Sequence, residues 1–132
     1  MRLLMWTMSP GGLFKGATPA GEGVLGIIPG SMATPAYIVR GKGEPASLNS
    51  ASHGAGRVMP RKKAKENLGW KVAQALLKQN DVTLLSVGID EVPMVYKNIE
   101  TVMNAQDDLV EKMGRFHPRI VKMAPAGERP ED

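Results

Sequence analysis

Ser50-Ala51-Ser52-His53-Gly54-Ala55-Gly56-Arg57 sets one imidazole directly before three residues with almost no side-chain bulk. Backbone N–H groups in such a stretch can approach a ligand closely, and glycine permits the dihedral angles this requires. Consecutive N–H groups can form a concavity that binds anions. Arg57 adds a planar, permanently charged fork suited to phosphate. A neutral His53 imidazole beside that cradle could attack phosphorus and form a phosphoramidate, one form of nucleophilic catalysis. The plain alternative is a loop histidine followed by a glycine turn. A metal at His53 alone is the weaker idea, because a site needs several ligands.

Two further segments have chemical potential. Pro29-Gly30-Ser31-Met32 ends an apolar run, and its hydroxyl and backbone could hold the polar edge of a nucleotide, or simply turn the chain. In Asp90-Glu91-Val92-Pro93-Met94-Val95-Tyr96-Lys97, Tyr96 could stack on a base or serve as a packing anchor, and Glu91 could favour a helix start. Lys122 could contact a ligand or stand in solvent. His117, the other histidine, reads as structural or exposed.

The elements that must position these groups follow from periodicity. Val24–Ile28 and Ala36–Val39 read as short strands, and 41–57 as a loop rich in Gly, Ser, Ala and Asn. Ala64, Leu68, Val72, Ala75 and Leu76 mark an apolar helical face beginning near Lys62. Val82–Val87 reads as a strand. Ile99, Val102, Met103, Leu109, Val110 and Met113 predict a second amphipathic helix of about 16 residues. Arg119–Met123 reads as a last strand. The class is α+β, short strands plus two amphipathic helices, with the strands expected to be covered on both faces. Residues 1–14 stay unassigned, 15–124 form the organised portion, and 125–132 read as a frayed tail.

Composition narrows the class. The chain has 132 residues, no cysteine and a net charge of +4. Disulfide frameworks and zinc–thiolate sites are excluded. A basic cluster at Arg57, Arg61, Lys62, Lys63 and Lys65 could meet phosphate backbones or form a solvated helix start. The apolar start, Met1–Met8, is broken by Ser9-Pro10-Gly11-Gly12, so a signal peptide and a membrane span are not expected. A cytoplasmic location is the expectation.

Taken together, these segments resemble the RtcB family of RNA ligases. Ser50–Met59 is similar to its hallmark loop. Lys15–Ala20, Gly26–Met32, Tyr37–Gly43, Asp90–Pro93 with Tyr96-Lys97, and Val102-Met103 to Gln106–Val110 match in order. Several ordered motifs are far more specific than one. The resemblance covers roughly 15–124 and implies the C-terminal part of that fold. It implies a GTP-dependent joining of an RNA 3′-phosphate, or an opened 2′,3′-cyclic phosphate, to a 5′-hydroxyl. The roles are expected for tRNA halves or broken RNA ends.

By the same resemblance His53 is the residue that becomes guanylylated. Gly54, Ala55 and Gly56 would lie along the guanylate. Pro29, Gly30, Ser31 and Met32 would form part of the guanosine pocket, with the Ser31 hydroxyl near the base. Ala36 stands where a serine often helps hold the nucleotide. Tyr96 would pack on the guanine side and Lys122 would close the pocket. Arg57, Arg61 and Lys62 are candidates for RNA or phosphate. Pro60 replaces a usual serine, Phe14 a basic residue, and Ala33 a common glycine. Manganese is implied, but the family's cysteine and histidine ligands belong to a portion not in this sequence, so the isolated chain is expected to be inactive. A missing N-terminal portion is a candidate partner. Other readings are an RNA- or nucleotide-binding module without chemistry, and an inactive remnant of a split gene.

Overall fold

The computed structural model describes residues 8–9, 12–13 and 16–123. Strands β1 (Met8–Ser9) and β2 (Gly12–Leu13) form a small antiparallel pair. Strand β3 (Ala17–Pro19) pairs antiparallel with β6 (Ser50–Ser52). Between them in sequence, β4 (Leu25–Pro29) and β5 (Ala36–Gly41) form a hairpin that β8 (Val110–Phe116) extends to three strands. Strands β7 (Thr83–Ser86) and β9 (Ile120–Lys122) make a parallel pair. The helices are α1 (Arg61–Asn67), α2 (Trp70–Gln79) and α3 (Ile99–Ala105). The class is α+β, as the pattern predicts.

Three apolar clusters hold these elements. Ile28, Tyr37 and Val39 from the hairpin pack with Ile99, Met103 and Val110, and with Ala51 and Ala55 beside the glycine loop. Met32, Leu77, Val121 and Met123 join the Pro29–Met32 turn to α2 and β9. Ala64, Ala73, Val92 and Val95 join α1 and α2 to the segment before α3. The glycine loop is therefore backed by buried alanines, whose small side chains let backbone pack on backbone.

The structure revises four details of the sequence reading. The second helix ends at Ala105, and Val110–Phe116 is a strand. Asp107 and Asp108 follow the negative end of α3, where carboxylates are unfavourable, and the chain turns there through Leu109 N–H to Gln106 O. Apolar spacing alone could not separate these two elements. The first helix is two helices, broken at Leu68-Gly69, where both residues are extended. That break resets the helical phase, so Ala64, Ala73 and Leu77 are buried while Val72 is 58% exposed. The strands alternate rather than being covered on both faces: Gly26, Ile28, Tyr37 and Val39 point inward, Leu25 and Ile38 outward. Finally, 41–57 holds a strand, β6, and a 3-10 turn at Pro45–Ser47. The expectations for most of 1–14 and for the tail fall outside the described residues. No helix among the described residues is long and apolar enough to cross a membrane.

Candidate functional site

Strand β6 delivers His53 to the surface. One residue past the ladder, His53 N–H donates to Gly16 O at 3.3 Å, prolonging the β3–β6 pairing. The exposed imidazole folds back on the same oxygen, with Nδ1 2.7 Å from Gly16 O. A carbonyl can only accept, so Nδ1 carries the proton. In the neutral ring Nε2 is then left with its lone pair, the tautomer a nucleophile needs. Gly16 sits at φ +82°, a conformation that side chains other than glycine disfavour.

The loop beyond His53 lies on the β4 turn. Ala55 N–H donates to Pro29 O at 3.0 Å. Ser52 Oγ donates to Gly54 O at 2.6 Å, and Ser52 N–H donates to Gln106 Oε1 at 3.0 Å. A Cβ on Gly54 would stand 3.3 Å from Pro29 O. The N–H groups of Gly54 and Gly56 donate to no group among the described residues. Two amides with no acceptor among the described residues thus flank one that is tied to Pro29 O.

The turn itself is tightly built. Ser31 N–H donates to Thr34 Oγ1 at 2.6 Å, and the Ser31 and Thr34 hydroxyls lie 3.0 Å apart. Gly30 is required, because a Cβ there would overlap Thr34 Oγ1 and stand 2.8 Å from Pro35 O. Met32 and Ala36 are buried, so their side chains serve the core.

The structure brings Pro29, which leads into the Gly30–Ser31 turn, against the loop that follows His53. The other expected residues lie elsewhere in the fold. Arg57 Nη2 donates to Asp90 O at 2.6 Å and Nε to Met59 O at 3.1 Å, and its guanidinium lies 5.5 Å from the Tyr96 ring centre. Arg61 donates to Asp90 Oδ2 at 3.0 Å and to Glu91 Oε1. Tyr96 donates its hydroxyl to Glu91 Oε2. Burial first, and then that bond to Glu91, pushes the Tyr96 hydroxyl well above the usual tyrosine range. Arg57, Arg61 and Tyr96 therefore close one charged cluster around Glu91. Glu91 is a hub of that cluster, not a helix start, and it sits in the 3-10 turn Ile89–Glu91. Lys62 is exposed on α1. Lys122 is exposed on β9, opposite in register to Ser86, while its neighbours Val121 and Met123 pack around Met32. His117 is exposed, as expected.

Comparison with known proteins decides the lineage. The model of the tRNA-splicing ligase RtcB family matches residues 14–123. The chain belongs to the RtcB family. It is 48% identical over 97 residues to the RNA-splicing ligase RtcB of Escherichia coli K12, covering 74% of this chain and 24% of that relative. The tRNA-splicing ligase RtcB of Nanoarchaeum equitans is 34% identical over 103 residues, covering 72% and 22%. The Mycobacterium tuberculosis RNA-splicing ligase RtcB is 34% identical over 99 residues, covering 70% and 23%. The chain therefore spans about a quarter of the length of these RtcB relatives.

Sequence reasoning missed two parts of this candidate site. Gly16 fixes the His53 ring, and its signal was a glycine in the Lys15-Gly16-Ala17 motif. Asp90 and Glu91 consume the arginines, and a charge count cannot reveal that pairing. For manganese, no group of three His, Cys, Asp or Glu side chains suited to a metal exists among the described residues. The described side chains thus do not fit that ion by themselves.

Proposed function

We propose that this chain supplies the nucleotide-accepting histidine and its anion cradle to a GTP-dependent RNA ligase. The observation that carries this reading is the His53 imidazole. Its Nδ1 is committed to Gly16 O, which leaves Nε2 its lone pair, and the residues that follow in the loop carry the open amides of Gly54 and Gly56. That arrangement suits attack on the α-phosphorus of GTP. A bond forms from Nε2 to phosphorus, the bond to pyrophosphate breaks, and guanylate remains on His53. The open amides are placed to take negative charge on the transferring group, the electrostatic role such donors play in phosphoryl transfer. Guanylate would then pass to an RNA 3′-phosphate, and a 5′-hydroxyl would displace GMP to seal the strand. RNA ends, from tRNA halves or broken strands, are the proposed partners. Ser31, Tyr96 and Lys122 remain proposed guanosine contacts, with Tyr96 first having to share its Glu91 bond.

A second component follows from the metal test. The ligands for manganese would come from the rest of the ligase fold, so the chain alone is proposed to be inactive. Incubation with α-labelled GTP and manganese tests both statements. The expected result is no acid-labile adduct on the chain alone. An adduct is expected when a polypeptide carrying the remaining three quarters of an RtcB ligase is supplied, and it should vanish with His53→Ala. An adduct that survives His53→Ala would overturn the assignment of the nucleophile. An efficient adduct on the chain alone would overturn the dependence on the second component.

A further inference from the structure

The sequence offered Arg57 and Arg61 as the cations for phosphate, but Arg61 is paired with the Asp90 and Glu91 carboxylates, and Arg57 donates to Asp90 O and Met59 O while its Nη1 is buried 3.9 Å from Glu91 Oε1. A cation already paired has less to give an incoming anion, because the anion must compete with Glu91 for it. A different lysine lies against Gly56. Lys97 N–H donates to Gly56 O at 2.9 Å, locking the Lys97 backbone to the end of the glycine loop. Its side chain then folds over Gly56. A Cβ built on Gly56 would stand 3.9 Å from Lys97 Cδ and 4.0 Å from Nζ. The residue is exposed, so the ammonium is available to a ligand. Gly56 at φ +76° keeps that face of the loop bare of side chain.

We propose that Lys97 is the cation that meets phosphate at the His53 loop. Its compact ammonium, with three rotatable donors, can sit over an anion held by the Gly54 and Gly56 amides. The ligand chemistry is a phosphate group, carried either by a guanine nucleotide or by an RNA end. This deepens the ligase reading and rests on the His53 loop being a phosphoryl site. It also gives a structural reason for Tyr96 and Lys97 to be adjacent. Tyr96 ties the segment to Glu91, and the next residue is thereby set over Gly56.

The test follows the Gly54 and Gly56 amide resonances of the labelled full chain during two titrations. One uses GMP, the other a short single-stranded RNA with a 5′-hydroxyl and a 3′-phosphate. Both amides should move with at least one probe, and the probe that moves them identifies the source of the phosphate. Lys97→Met should weaken that probe about 5- to 10-fold, the loss expected for one charge-assisted contact. Lys97→Arg should stay within about twofold, and Lys71→Met, an exposed charge on α2, should have no effect. Should RNA be the active probe, its salt slope should fall by about 0.7 in Lys97→Met. Amides that move equally in Lys97→Met and Lys71→Met would overturn the Lys97 role while leaving the loop as a phosphate site. Amides that move with neither probe would overturn both.

Discussion

Two regions meet at Gly56, and they treat their polar groups in opposite ways. On the His53 side, donors are left open: Gly54 and Gly56 N–H have no acceptor among the described residues, and the imidazole is exposed. On the Arg57 side most donors are engaged, and the exception, Arg57 Nη1, is buried with no hydrogen-bond partner among the described residues. Two guanidinium groups, two carboxylates and a phenol close on one another within the Asp90-Glu91 turn. The first region spends backbone on shape and keeps its chemistry available. The second spends its charge on structure, and so holds the end of the loop still. A row of basic residues is therefore poor evidence of a binding surface until the neighbouring carboxylates are placed.

The comparison breaks most visibly at Glu91. Glu91→Ala removes one carboxylate partner of Arg61, the acceptor of the Tyr96 hydroxyl and the carboxylate 3.9 Å from Arg57. The Arg57 and Arg61 side chains are 22% and 27% exposed, so water offsets part of the loss. A destabilisation of about 2–3 kcal/mol is expected by urea unfolding, at the lower end of the cost of splitting a buried pair. A loss below about 0.5 kcal/mol would mean that the cluster is ornamental surface charge. Gly16→Ala is next. A Cβ at φ +82° costs about 1 kcal/mol, and the displaced carbonyl should also release the His53 ring. Unfolding and the ring's nitrogen resonances read the two effects separately.

Alkaline pH probes the closed region without a mutation. The chain has two tyrosines. Burial and the Glu91 bond raise Tyr96, and the Glu100 bond, 2.5 Å from the Tyr37 hydroxyl, raises Tyr37. Above pH of about 10 the unfolded chain loses these protons while the folded chain keeps them. Stability should therefore be level below that pH and fall as pH rises beyond it. Phenolate absorbance should appear together with unfolding, and its appearance in a still-folded chain at the ordinary tyrosine range would contradict the cluster. At the small end, Thr18→Val should be neutral or stabilising by up to about 1 kcal/mol. The Thr18 hydroxyl is buried with no hydrogen-bond partner, and replacing it by a methyl removes that cost. His53→Ala should change stability by less than about 0.5 kcal/mol, because the ring is exposed.

Much of the site was legible in the sequence because its information is local. The bare run after His53 and the Pro29-Gly30 turn announce a backbone surface, and the fold sets one on the other through Ala55 N–H and Pro29 O. The hairpin strands were legible from short apolar runs bounded by turn residues. What could not be read was non-local. Helix α3 and strand β8 share one apolar spacing, and only pairing with β5 separates them. The break at Leu68-Gly69 shifts the buried face by residues that look equivalent in sequence. The pairing of Arg57 and Arg61 could not be read because Asp90 and Glu91 lie about thirty positions away, a partnership only the fold creates.

The account stands most directly on the protonation of one ring. A long-range proton–nitrogen spectrum of the His53 imidazole, recorded where the ring is neutral, should show the proton on Nδ1 and a bare Nε2 in the folded chain. Gly16→Ala should weaken that preference. A folded chain with the proton on Nε2 would leave that atom without a lone pair and would contradict the assignment of His53 as nucleophile.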